Sequence, residues 1–223
     1  MNYIPVLTLD GPGGAGKGTV GRRVATRLGW HYLDSGALYR LVALVSLRQG
    51  LSADDAATVA AGIPDLQVVF EDERVALDGE DVSRELRTEA VSRRASALAP
   101  ARVVRAALVE RQRALRRMPG LVADGRDMGT VVFPDARVKV FLDASPEERA
   151  LRRYKQLKEQ GFNANLRNLT EELRERDERD ANRAVAPLKP AVDAEVIDTT
   201  GHPVDWVVDR LLALVANAGG SRG

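Results

Sequence analysis

The chain has 223 residues, 44% hydrophobic and 29% charged, which is enough apolar content to fold around a buried core and too much for a mainly disordered chain. Lys and Arg number 33 against 32 Asp and Glu, a net charge of +1, so no global field favours nucleic acid or a membrane surface and any anion site has to be local. There is no cysteine, hence no disulfide, thiolate metal ligand or thiol nucleophile, and no apolar run near the roughly 20 residues of a membrane span; Met1–Leu9 is too short for a signal peptide, and the cytoplasm is the expected location.

In chain order, Val6–Leu9 is a short apolar run that ends in glycine-rich sequence, after which Val20, Val24, Ala25 and Leu28 recur at helical spacing until Gly29. Strand, loop and helix follow one another. Tyr32 and Leu33 repeat the order, leading through Asp34-Ser35-Gly36 into a helix with Leu38, Leu41, Val42 and Val45 on one side that ends near Gly50. From Leu66 to about Val82 the period changes to that of a small antiparallel hairpin: Leu66–Phe70, a polar turn at 71–73, Arg74–Leu77 and then Asp78-Gly79. This is read as an insertion into one α/β core. Helices are expected from Thr88 to Ala99 and from Pro100 to Arg117, the second opened by proline, which lacks the amide hydrogen a first turn leaves unused. Leu121–Ala123 and Val138–Leu142 suit buried parallel strands, and Ser145-Pro146-Glu147-Glu148 reads as a capping box opening a helix that Gly161 ends. Thr170 is expected to cap a helix running to Arg183, Glu195–Ile197 to form a last strand, and Pro203–Val215 a closing helix.

The chemistry begins at Gly11-Pro12-Gly13-Gly14-Ala15-Gly16-Lys17-Gly18-Thr19, between strand and helix. Amides at a helix N-terminus bind phosphate, and Lys17 supplies the charge for the β and γ phosphates of ATP. The stretch departs from the strict phosphate-loop pattern: Gly18 occupies the hydroxyl position and Thr19 comes one residue later, which leaves direct magnesium ligation by the loop open. Gly11, Gly13 and Gly16 also satisfy a dinucleotide fingerprint, with Asp34 near the distance of a ribose-binding acid, so an NAD-binding oxidoreductase is the rival from another class. Lys17 argues against it, because a dinucleotide turn has no use for a cation there. A regulatory GTPase is disfavoured too: Asp198-Thr199-Thr200-Gly201 offers its D-x-x-G, but no guanine-reading Asn-Lys-x-Asp accompanies it.

Three further segments, Asp34-Ser35-Gly36-Ala37-Leu38-Tyr39-Arg40, Asp124-Gly125-Arg126-Asp127-Met128-Gly129-Thr130 and Arg176–Pro187, resemble in order those of the bacterial cytidylate kinases, and the resemblance spans nearly the whole chain. It implies a P-loop type of twisted parallel sheet with flanking helices, formed by residues 1–29 and 101–223. It also implies a mobile inserted acceptor-binding subdomain with a small antiparallel sheet over 30–100, and a short lid at about 152–168. The implied reaction is magnesium-dependent transfer of the γ-phosphoryl group of ATP to CMP or dCMP, with UMP or AMP as the alternative acceptors.

Phosphoryl transfer spreads charge over phosphate oxygens, so positioned cations matter more than acid–base groups. By the resemblance, Arg40, Arg126 and Arg183 hold the acceptor phosphate and act with Lys17 in catalysis; Ser96, Arg105 and Asp127 surround the cytosine; Arg152 and Arg153 reach ATP from the lid. A carboxylate accepts from the exocyclic amine of cytosine, where uracil presents an oxygen, which favours CMP. Ser35 stands at a strand-to-helix turn with two uses open, binding the acceptor or capping the helix. Arg176 and Asp180, four apart on one helical face, either form an ion pair or, as the resemblance implies, act on the acceptor's sugar. Asp124, at the end of a buried strand, either holds magnesium through water or anchors the Gly125 turn. His31 and His202 have no partners at metal or triad spacing, and Arg22, Arg23, Arg111, Arg116 and Arg117 are read as surface charges. A monomer that binds nucleotides, with neither nucleic acid nor membrane as partner, is expected.

Overall fold

The computed structural model describes residues 3–71, 74–159, 161 and 163–220. Strand β1 (Val6–Asp10) is buried at every residue, as a central strand covered on both faces must be. It runs parallel to β6 (Leu121–Asp124) on one side and to β7 (Val138–Asp143) on the other. With β2 (His31–Asp34) beside β6, and β8 (Glu195–Asp198) parallel to β7, the sheet has five strands in the order β2-β6-β1-β7-β8. Helix α1 (Lys17–Leu28) lays Val20, Val24 and Ala25 on this sheet, where Leu7, Leu9, Val122, Val140 and Leu142 meet Val207, Val208 and Leu211 of α8 (Val204–Gly220). Each such valine or leucine side chain, once fully buried, contributes about 1.5–3 kcal/mol. Helices α6 (Pro146–Glu159) and α7 (Leu166–Ala181) pack against each other and complete this unit, which comprises residues 1–33 and 115–223.

The second unit, residues 34–114, has its own core. Helix α2 (Ser35–Arg48) buries Leu38, Leu41, Val42 and Leu44 and packs on α4 (Glu89–Leu98). Helix α3 (Ala56–Ala61), which the sequence periodicity had left unassigned, packs on α5 (Arg102–Arg113). The inserted hairpin is present as β3 (Val68–Glu71) and β4 (Arg74–Leu77), antiparallel, with a third short strand β5 (Glu80–Asp81); turn residues 72 and 73 lie outside the described residues. The two units divide at 33/34 and 114/115, and α5 packs on α3 and α2 within the second.

Several local expectations shift. Helix α5 begins at Arg102, two residues beyond Pro100, with Ala101 at its N-cap. Helix α7 is capped by Asn165, whose side-chain oxygen accepts from the amides of Arg167 and Asn168, and not by Thr170, whose hydroxyl donates back to Leu166 inside the helix. Ser145 does cap α6 through the Glu148 amide, but the Glu148 carboxylate pairs with Arg152 instead of closing the box. Arg111 and Arg116 are more than surface charges: they donate to the carbonyls of Ile63 and Ile4. A single π-helical turn, Met128–Val132, follows β6 and has no counterpart in the sequence reading.

Candidate active site

The loop from β1 to α1 leaves the strand at Gly11, whose φ of 143° and position exclude a side chain, since a Cβ there would lie 2.0 Å from the Leu142 carbonyl oxygen. The chain can therefore turn tightly against β7 and present the following amides at the start of α1. Lys17, the first residue of that helix, is buried and its ammonium donates to the Gly11 and Pro12 carbonyls at 2.9 Å each. Burial pulls its pKa down to about 8, against the opposing pull of Asp124.

Behind the loop, Arg149 of α6 is almost wholly buried and makes three anchors. It donates to the Ala144 carbonyl at 2.8 Å, to the Gly13 carbonyl at 3.1 Å and to the Asp177 carboxylate of α7 at 2.6 Å. Sequence reasoning passed over Arg149 because four further cations follow it on the same helix; only its burial separates it from them. Thr199, just past β8, donates to the Asp143 carbonyl and reaches the Ala15 carbonyl of the loop at 3.3 Å. Arg152 bonds to both the hydroxyl and the carbonyl of Thr199, whereas Arg153 bonds to Gln156 along its own helix. Of the expected lid segment, residues 160 and 162 lie outside the described residues.

Asp180 of α7 is fully buried and gathers charge from segments far apart in the chain. Arg126, just beyond β6, and Arg183 both donate to its carboxylate, and the Arg176 Nε stands 4.0 Å away. Burial works against the Asp180 charge, but Arg126, Arg183 and Arg176 outweigh it and hold the carboxyl below the ordinary range. Burial likewise opposes the Arg126 charge, and Asp180, Asp124 and Asp177 together raise the guanidinium pKa above its usual value. The result is a fixed, ionised cluster in the same unit as Lys17.

Asp127 follows Arg126 and is buried at the start of the π-helical turn. The remaining residues expected to bind an acceptor belong to the other unit. Ser35 is buried as the first residue of α2, and it is Asp34, not Ser35, whose carboxylate caps the helix by accepting from the Ala37 amide at 2.8 Å. Capping therefore leaves the Ser35 hydroxyl for other work. Arg40 lies 3.4 Å from the same Asp34. Arg105 on α5 is buried and donates to the Tyr39 hydroxyl and the Ala99 carbonyl. The Ser96 hydroxyl on α4 is buried with no hydrogen-bond partner among the described residues, a costly state for a polar group.

Asp124 ends β6 with a carboxylate that accepts from the Tyr32 hydroxyl at 2.9 Å. The Gly125 amide is taken by the Leu9 carbonyl. The carboxylate lies 3.7 Å from where a Cβ would stand on Gly18, which places Asp124 beside the head of α1. Among the described residues no group of three or more His, Cys, Asp or Glu is placed to hold a metal. One carboxylate beside a phosphate loop suits magnesium, which keeps most of its water and takes phosphate oxygens as ligands. The histidines are occupied otherwise, His31 with the Met118 carbonyl and His202 stacked on Trp206.

These features can be set beside known proteins. A solved structure of an uncharacterized protein from Eubacterium ventriosum aligns with a TM-score of 0.54 over 96% of this chain and 99% of that one, at 12% identity, which bears on the fold alone. A cytidylate kinase of Burkholderia vietnamiensis is 59% identical over 208 residues, 93% of this chain and 91% of the relative. One from Burkholderia pseudomallei is 58% identical over 209 residues, 94% and 92% of the two chains. The family model described as cytidylate kinase matches residues 7–217, and with it the phosphate loop, the Asp124–Thr130 segment and the α7 cluster: the chain belongs to the cytidylate kinase family.

Proposed function

We propose that this protein transfers the γ-phosphoryl group of ATP to CMP or dCMP, giving ADP and CDP or dCDP. The observation that carries the proposal, beside family membership, is the placement of a buried Lys17 at the head of α1 in one unit with the ionised Arg126–Asp180–Arg183 cluster. In this reading the loop amides and the Lys17 ammonium hold the ATP phosphates. Arg126 and Arg183, steered by Asp180, hold the acceptor phosphate with Arg40 from the second unit, and Arg152 and Arg153 serve ATP. Two anionic substrates cannot approach unless their repulsion is neutralised, and preorganised guanidinium groups do this with little reorganisation. Magnesium bound with ATP supplies further neutralisation of the β and γ oxygens, and Asp124 is the residue that would hold it through water.

Base choice is assigned to Asp127, Ser96 and Arg105. The Asp127 side chain would accept from the cytosine amine, and against the uracil oxygen it would meet acceptor with acceptor, a mismatch of about 1–3 kcal/mol. Arg176 and Asp180 read the sugar, and Ser35 adds a contact to the acceptor. The unit of residues 34–114 is the acceptor-binding one, the segment near 152–168 the lid, and closure keeps water from competing as acceptor. The protein acts as a cytoplasmic monomer. A coupled assay with CMP, dCMP, UMP and AMP tests the reading. CMP and dCMP should turn over well ahead of the others; equal turnover of all four removes base reading by Asp127, and no conversion of any pyrimidine monophosphate removes the kinase reading itself.

A further inference from the structure

Asp10, the last residue of β1, is 3% exposed and takes no direct part in the scheme above. Its two carboxylate oxygens accept from two successive amides 118 and 119 residues away, Oδ1 from Met128 and Oδ2 from Gly129, each at 2.8 Å. Those amides open the π-helical turn that directly follows Arg126 and Asp127. The approach is close by design of the sequence: a Cβ on Gly129 would stand 2.9 Å from the Thr8 hydroxyl and 3.4 Å from Asp10 Oδ2. A side chain there would lever the turn off the strand. We infer that Asp10 is a positioning residue, which clamps the turn after Asp127 to the strand that launches the phosphate loop and so fixes where Arg126 and Asp127 meet the acceptor nucleotide. The inference rests on the kinase reading and deepens it.

The clamp holds its charge against the cost of burial. Burial pushes the Asp10 carboxyl up from 3.8 to about 6, helped by Asp127 nearby and opposed by the two amides and by Lys17. The other charged groups around it are engaged elsewhere, Lys139 of β7 with Asp193 and Asp124 of β6 with Tyr32. A folded pKa raised above the unfolded one means that the protonated form favours folding. That stability is present below pH 3.8 and lost as pH rises through about 6. At neutral pH the chain thus keeps a buried carboxylate that costs it stability, as happens where a charge serves a site. A neutral asparagine removes the charge but can accept from only one of the two amides in the same geometry.

The test is Asp10→Asn, measured beside the wild type for kcat and for the separate KM values of CMP and ATP. Melting temperature at pH 8 and hydrogen exchange at the Met128 and Gly129 amides complete the comparison. Expected are an unchanged or raised melting temperature, an ATP KM within about twofold, kcat/KM for CMP lowered about ten- to a hundredfold as for a misplaced reacting group, and faster exchange at the two amides. Wild-type kinetics in Asp10→Asn would overturn the inference, as would parallel loss of ATP affinity and melting temperature, which marks a merely structural role. Should Asp10→Asn not fold, Gly129→Ala tests the same clamp from the other side, and normal CMP kinetics in it would be equally fatal. The kinase reading fails separately, if the wild type converts no pyrimidine monophosphate.

Discussion

Lys17 shows how one residue's surroundings set its working range. Its ammonium sits in a buried position where desolvation lowers the pKa to about 8, and two backbone carbonyls and Asp124 keep the charge in place. Because the folded value lies below the unfolded 10.5, the charged lysine costs stability below pH 8 and ceases to do so above 10.5. Activity runs the other way, since only the ammonium neutralises phosphate. A pH series should therefore find kcat/KM for ATP falling as pH rises through about 8, with the fall in kcat displaced to higher pH because bound phosphates favour the ammonium. Asp180 is the complementary case, a carboxylate kept ionised inside the protein by three arginines, so that its partners stay charged and aimed. Both residues stand in motifs plain in the sequence. The carboxylate that joins Arg126 to Arg183 was visible there only as Arg176's neighbour four residues on, in an ion pair or, by the resemblance, at the acceptor's sugar.

Among the elements, α7 carries the densest chemistry, with Asp177 tied to Arg149 behind the phosphate loop and Asp180 tied to Arg126 beyond β6. Its N-terminus rests on Asn165, which satisfies two amides that the helix itself leaves unpaired. Asn165→Ala should lower stability by about 1 kcal/mol in urea denaturation and leave kcat within about twofold, because the cap lies four turns from Asp180 and frays only the first turn. The elements themselves were largely legible. Apolar runs marked β1, β6 and β7, and helical spacing marked α1 and α2. Thr170 misled as a cap because threonine at a helix start and threonine inside a helix look alike until its hydroxyl is seen to bond back to Leu166. Helix α3 was missed because six residues of alanine, threonine and valine carry almost no periodic signal.

At the scale of the molecule, the chain divides into two compact units, and the residues proposed for the acceptor belong to both: Ser35, Arg40, Ser96 and Arg105 to one, Arg126, Asp127, Arg176, Asp180 and Arg183 to the other. If residues 34–114 serve the acceptor, CMP should slow hydrogen exchange at α2, α4 and α5, while ATP alone should slow it at the phosphate loop and the start of α1. Protection of 34–114 by ATP alone, with none added by CMP, would reassign that unit. Among the described residues no helix is long and apolar enough to cross a membrane.

The sequence by itself determined what is local along the chain: the order of strands and helices, the phosphate loop with its lysine, and the segments whose succession marks the family. Loop amides and a helix start are neighbours in sequence, so their geometry follows from a few consecutive residues. Tertiary structure alone decided which charges meet. Arg126 and Asp180 are 54 residues apart, Gly13 and Arg149 136, and Asp10 and Met128 118, and no periodicity couples them. Burial, which makes one arginine of a basic helix an anchor and one aspartate at a strand end a clamp, depends on what packs from the rest of the chain. A side chain's partners and its pKa are properties of that packing, and they come into being only when the sheet and its helices close around it.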